Sequence, residues 1–177
     1  MARRTGRAPP PEFVAWATAA KLAHMNERAS LAVLLPLRLL VAAILLLEGY
    51  QKFMGGWLHG DPLSRITQTW LDAGRAYHFF LPLLKSAHAH PKIFGFLITL
   101  GELTVGLSMF LGALTRLGAF LGMLLLGSIA AASGQNLAPP GNALLMAVVM
   151  LTFLFAPPGR VLGLDQSLRN RLPRWMV

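Results

Sequence analysis

From Lys92 to Ser133 the chain reads KIFGFLITLGELTVGLSMFLGALTRLGAFLGMLLLGSIAAAS, and only Lys92, Glu102 and Arg116 in it carry charge. A turn at Leu114-Thr115-Arg116 divides the run into two apolar segments. Each is close to the about 20 residues that an α-helix needs to cross the hydrocarbon core of a bilayer. A carboxylate in the middle of such a segment is costly to hold in lipid. Glu102 must therefore face protein or water, which makes it the first functional candidate.

The rest of the chain agrees with a membrane setting. Of its 177 residues 55% are hydrophobic and 13% charged, and the net charge is +9. Most of its basic residues lie outside the apolar segments, and no zinc-finger or aromatic RNA-binding motif accompanies them. Anionic lipid headgroups, not nucleic acid, are the partner such flanks suit. There is no cysteine, which excludes disulfides, iron–sulfur clusters, thiolate catalysis and covalent c-type haem within this chain. The basic start MARRTGR runs into a proline-rich stretch, unlike a cleavable signal peptide.

The expected fold is all-α, a four-helix transmembrane bundle preceded by an interfacial amphipathic helix. Residues 1–30 form a basic, proline-rich extension whose segment Glu12–Asn26 suits a helix lying on the membrane surface. Spans are expected at Leu31–Phe53, Lys92–Leu114, Arg116–Ser133 and Asn142–Ala156, the domain closing at residue 168 before a basic tail, 169–177. Between the first two lies a polar segment, Trp57–Pro91, with a short amphipathic helix at Ser64–Leu71 and four of the five histidines. Ten basic residues fall on the side of the termini and five on the other. Both termini are thus expected in the cytoplasm.

Several side chains can be placed from spacing. Gly95, Thr99, Glu102 and Gly106 follow at intervals of four, three and four, so they share one helix face. Gly118 and Gly122 form a small-xxx-small pair for close helix contact. With the outer helix ends at Phe53 and Lys92, the rise per residue puts Glu48 ~8 Å, Glu102 ~15 Å and Arg38 ~22 Å deep. Side chains lean toward their own helix N-terminus. Glu102 thus leans toward Glu48 and Lys52, and Arg38 leans away, to reach Glu102 or to snorkel to the interface. Glu48 and Lys52 have the favoured order for a helical ion pair. They are read either as a helix-end pair or, with Glu102 and Tyr50, as one polar pocket. Asn142 either caps its helix or lines that pocket. The loop histidines are read as solvent-exposed, with no metal site. Glu102 itself is read as interhelical glue or as a group with work to do.

The chain resembles the DoxX family of small membrane proteins, which includes the small subunit of thiosulfate:quinone oxidoreductase. The resemblance rests on LRLLVAAILLLEGYQKF, on HPKIFGFLITLGELTVGLSMFLGALTRLGAFLGMLLL, on the asparagine opening the fourth span, and on PPGRVLGLDQSL. It implies a four-helix domain over residues 31–168 in a bacterial inner membrane, forming the membrane subunit of a quinone-linked oxidoreductase. Glu102 would then be a proton carrier or ligand-orienting group, and Arg38, Glu48, Tyr50, Lys52, Thr99 and Asn142 would line a quinone or anion site. No covalently bound cofactor is implied, and electrons would come from another membrane or redox subunit, with thiosulfate or another sulfur compound as donor. A different reading is an assembly or scaffold subunit that binds a membrane protein through its glycine faces and outer loop. A solute channel is disfavoured by four short helices without repeats.

Overall fold

The computed structural model describes residues 32–134, 143–160 and 163–168, with Leu22 and Pro173 besides. The expected interfacial helix, the basic tail and Asn142 lie outside the described residues. Among those described the chain is all-helical, without a strand. Helix α1 is Leu35–Met54, α2 Asp61–Ala73, α3 Leu81–Ala89, α4 Pro91–Leu111, α5 Thr115–Ser133, α6 Ala143–Phe155 and α7 Asp165–Leu168, with single 3-10 turns at Trp57–His59, His78–Phe80 and Pro158–Arg160.

Local chemistry sets these limits. Proline occupies the first turn of α1, α2, α3 and α4, where its missing N–H costs nothing. Glycine ends α2 and α4 in the left-handed region, at φ 62° for both Gly74 and Gly112. α4 and α5, at 21 and 19 residues, are long and apolar enough to cross a membrane. Only 33% and 39% of their apolar windows are buried, and Phe96, Leu100, Phe110, Leu121 and Leu124 stay exposed. The core helix of a soluble protein would be covered on most sides. α6 is apolar but has only 13 residues. α1 has 20 residues and holds Arg38, Glu48 and Lys52.

α1, α4, α5 and α6 share one core, built from Val41, Leu45, Val105, Met109, Leu126, Met150 and Phe153 among others. Glycine sets the helix distances. Across α1 and α4 the packing is reciprocal: a Cβ on Gly49 would come within 2.8 Å of Leu103, and one on Gly106 within 2.9 Å of Leu46. On α5, Gly118 lies against Ser108 and Met109, and Gly122 lies beneath Val105 and Met150.

The segment expected as an outer loop is largely helical, the short helix there extending to Asp61–Ala73 and a second helix forming at Leu81–Ala89. Leu63 and Thr67 of α2 and Leu84 and Ala87 of α3 are buried. The two helices fold back onto α4 and α5 as a lid. His88, read as a loop histidine, is half-buried on α3, its Nδ1 3.0 Å from Thr67 Oγ1.

Replacing Gly118 and Gly122 with leucine should destabilise the protein by about 1–3 kcal/mol per site, because added bulk forces the helices apart. A Cβ at Gly127 meets nothing within 4 Å, so Gly127→Leu should leave thermal stability in detergent unchanged. Equal melting of all variants would show that the glycine pair does not set the α5 packing.

Candidate functional site

Glu102 is 2% exposed on α4, and the ammonium of Lys52 reaches it from α1. Lys52 Nζ donates to Glu102 Oε1 at 2.9 Å and Oε2 at 2.8 Å, and also to Glu48 Oε2 at 2.9 Å. The cation is thus shared between an exposed acid one turn earlier on its own helix and a buried acid on the next. The Trp57 ring lies 5.4 Å from the same nitrogen, within cation–π range. Gly95 makes that position possible. A Cβ there would overlap the Trp57 carbonyl oxygen, so only glycine lets the turn after α1 rest on α4. The helix face read from spacing meets, in order, Trp57 at Gly95, Lys52 at Glu102 and Leu46 at Gly106. Thr99, on the same face, is buried, and its Oγ1 has no hydrogen-bond partner among the described residues.

Beside this cluster lies a cavity of about 500 Å³ whose walls come from α1 to α6. Glu48, Lys52 and Glu102 border it, and most of the remaining wall is apolar, including Leu45, Leu63, Trp70, Leu84, Ile98 and Leu126. Thr67 and Ser128 add hydroxyls. A mostly apolar cavity with a few convergent polar groups is the usual form of a small-molecule site.

Arg38 and Tyr50 sit elsewhere. Tyr50 is 58% exposed, outside the cavity. Arg38 is buried toward the other end of α1, where its guanidinium donates to the Pro158 carbonyl at 3.2 Å and lies within Coulombic reach of Asp165. This second polar cluster centres on a residue not singled out from the sequence. Asp165 is fully buried and accepts from Leu114 N at 2.6 Å, from Thr115 N at 3.1 Å and from the Thr115 hydroxyl. Leu114 has φ 54° and is the one non-glycine residue of positive φ among those described. Its left-handed conformation is held by the carboxylate that caps α5. Asp165 N in turn donates to Gly112 O at 2.9 Å. A signal was available, since Asp165 is the only acid after Glu102.

Asp165→Ala should therefore destabilise the folded chain by about 3 kcal/mol, because it leaves buried donors and a nearby cation without their acceptor. Asp165→Asn, which retains one acceptor oxygen, should lose less. Thermal melting in detergent decides this, and an alanine variant as stable as the parent would show that the turn holds itself.

A family model described as DoxX matches residues 33–134, a stretch that includes Glu48, Lys52, Trp57 and Glu102 and more than half of the 177 residues. No curated protein and no solved structure matches the chain. Together with two helices long and apolar enough to cross a membrane, this match makes the chain a membrane protein of the DoxX family.

Proposed function

We propose that the chain is the membrane subunit of a quinone-linked oxidoreductase, and that the cavity beside Glu102 receives the quinone. The observation that carries this reading is one buried acid–ammonium pair on the wall of an otherwise largely apolar cavity of about 500 Å³. An apolar wall suits a lipid-soluble ring, and Lys52 and Glu102 suit its carbonyl oxygens and the protons that reduction adds. Two carboxylates around one ammonium leave the cluster with a formal charge of −1. That charge disfavours an anion such as thiosulfate and accepts a neutral quinone. Oxidation of the donor, thiosulfate or another sulfur compound, belongs to a partner subunit. A chain with no cysteine has no thiolate for an iron–sulfur cluster.

In this reading α1, α4, α5 and α6 all cross the bacterial inner membrane, with both termini in the cytoplasm. The lid of α2 and α3 then covers the cavity from the outer side. Single cysteines test the orientation against a cysteine-free background. Ser86→Cys should label in intact cells and Ser167→Cys only after permeabilisation, and the reverse pattern would invert the topology.

The site is tested by quinone retained through purification in mild detergent. The parent protein should carry extractable quinone, and Ser128→Phe, which fills the cavity from α5, should carry almost none. Glu102→Gln should keep the fold and lower retention by about tenfold, a loss of 1.4 kcal/mol. Glu102→Leu should also lower the melting temperature, because it leaves Lys52 with only Glu48. Parent protein without quinone after loading with excess quinone would sink the proposal, and a co-purifying polypeptide would then favour the scaffold reading.

A further inference from the structure

Glu48, Lys52 and Glu102 form a row graded in exposure. The side chains are 56%, 14% and 3% exposed in that order, and each step is a contact of 2.8 to 2.9 Å. A pair serving only to fasten α1 to α4 would be complete with Lys52 and Glu102. The third N–H of the ammonium instead goes to a carboxylate that water can reach. All three residues border the cavity. Among the described residues, Glu48 and Glu102 are the only groups that ion-pair with Lys52. The Trp57 ring over the ammonium holds it without taking a proton. The histidines nearby are placed differently: His59 is exposed in the turn after α1, and His88 Nδ1 is engaged with Thr67 on the cavity wall.

We propose that this row is the proton inlet of the cavity, with Glu48 as its entry and Glu102 as its delivery point. The proposal rests on the quinone reading, in which a redox cofactor of a partner subunit supplies two electrons. An N–H bond of the Lys52 ammonium breaks as an O–H bond forms on Glu102, and Glu102 passes that proton to a carbonyl oxygen of the ring being reduced. The Glu48 carboxylate takes a proton from hydronium in the outer water and then gives it to the neutral Lys52 amine, becoming a carboxylate again. Two such passages deliver two protons, which with two electrons convert quinone to quinol. Each group returns to its starting state. Lys52 has to move only between hydrogen bonds it already makes.

The test uses the full-length protein loaded with decyl-ubiquinone in a weakly buffered electrochemical cell. A potential step reduces the bound quinone without any partner, and a pH dye follows proton uptake. The rate is expressed per bound quinone, measured in the same sample. Glu48→Gln should slow uptake by about 10²-fold, the usual size of a general acid–base contribution, and Glu48→Asp should restore most of it. A purely structural Glu48 would shift the melting temperature and leave the uptake rate alone. Glu48→Gln protein that holds quinone and takes up protons at the parental rate overturns the inlet, as does a Glu48→Gln protein that no longer binds quinone, since Glu48 would then be a binding group. Parent protein that binds no decyl-ubiquinone overturns the site reading itself, whatever the variants do.

Discussion

An ammonium group among apolar helices must find its counter-charge within the protein, because desolvating it unpaired costs several kcal/mol. Lys52 meets that requirement by reaching both oxygens of Glu102 on the neighbouring helix. The bond fixes the register of α1 against α4, and the rest of the seam follows from it. With Lys52 opposite Glu102, Gly49 falls under Leu103, Gly106 under Leu46 and Gly95 under the Trp57 carbonyl. One residue out of register, every one of these contacts would place a side chain where a backbone now lies. Directional polar bonds choose the alignment here, and glycine lets the chosen alignment pack closely.

The two ends of α1 solve the same problem in opposite ways. At the Lys52 end the charges border a cavity, and one acid stays in contact with water. At the Arg38 end the charges are buried: the guanidinium donates to a carbonyl and lies within Coulombic reach of an acid, and that acid accepts from backbone donors and a threonine. A site that exchanges ligand or protons needs unsaturated capacity. The Lys52 end keeps a water-facing carboxylate, and the carboxylate of the Arg38–Asp165 end is spent on structure.

Much of this could be read from residues alone. The apolar hairpin, the shared face of Gly95, Thr99, Glu102 and Gly106, and the lean of Glu102 toward Lys52 all follow from helix periodicity and the Cβ direction. These local rules hold because a helix that buries few polar groups has few ways to deviate from them. Arg38 could not be settled, since its acceptor is a carbonyl 120 positions away and no periodic rule spans that distance. Asp165 escaped because it lies in a short glycine-rich segment, where an acid looks solvated until tertiary contact encloses it. The lid was read as mostly loop because HFFLPLLKSAHAH has no strong amphipathic pattern. Its helix α3 is organised by where Leu84 and Ala87 can be buried. The cavity, which needs the lid and four other helices at once, could not be inferred from any one stretch.

The cap on α5 has a consequence for the order in which the molecule is made. The left-handed residue at the α4–α5 turn and the first N–H groups of α5 are satisfied by a side chain 50 positions further along. During synthesis the hairpin therefore exists for a time without this cap, and it gains it only after Asp165 has been added. A residue near the end of the described chain thus completes the turn between α4 and α5. A chain that stops just short of Asp165 has the whole of α4 and α5 and lacks the carboxylate that caps the turn between them.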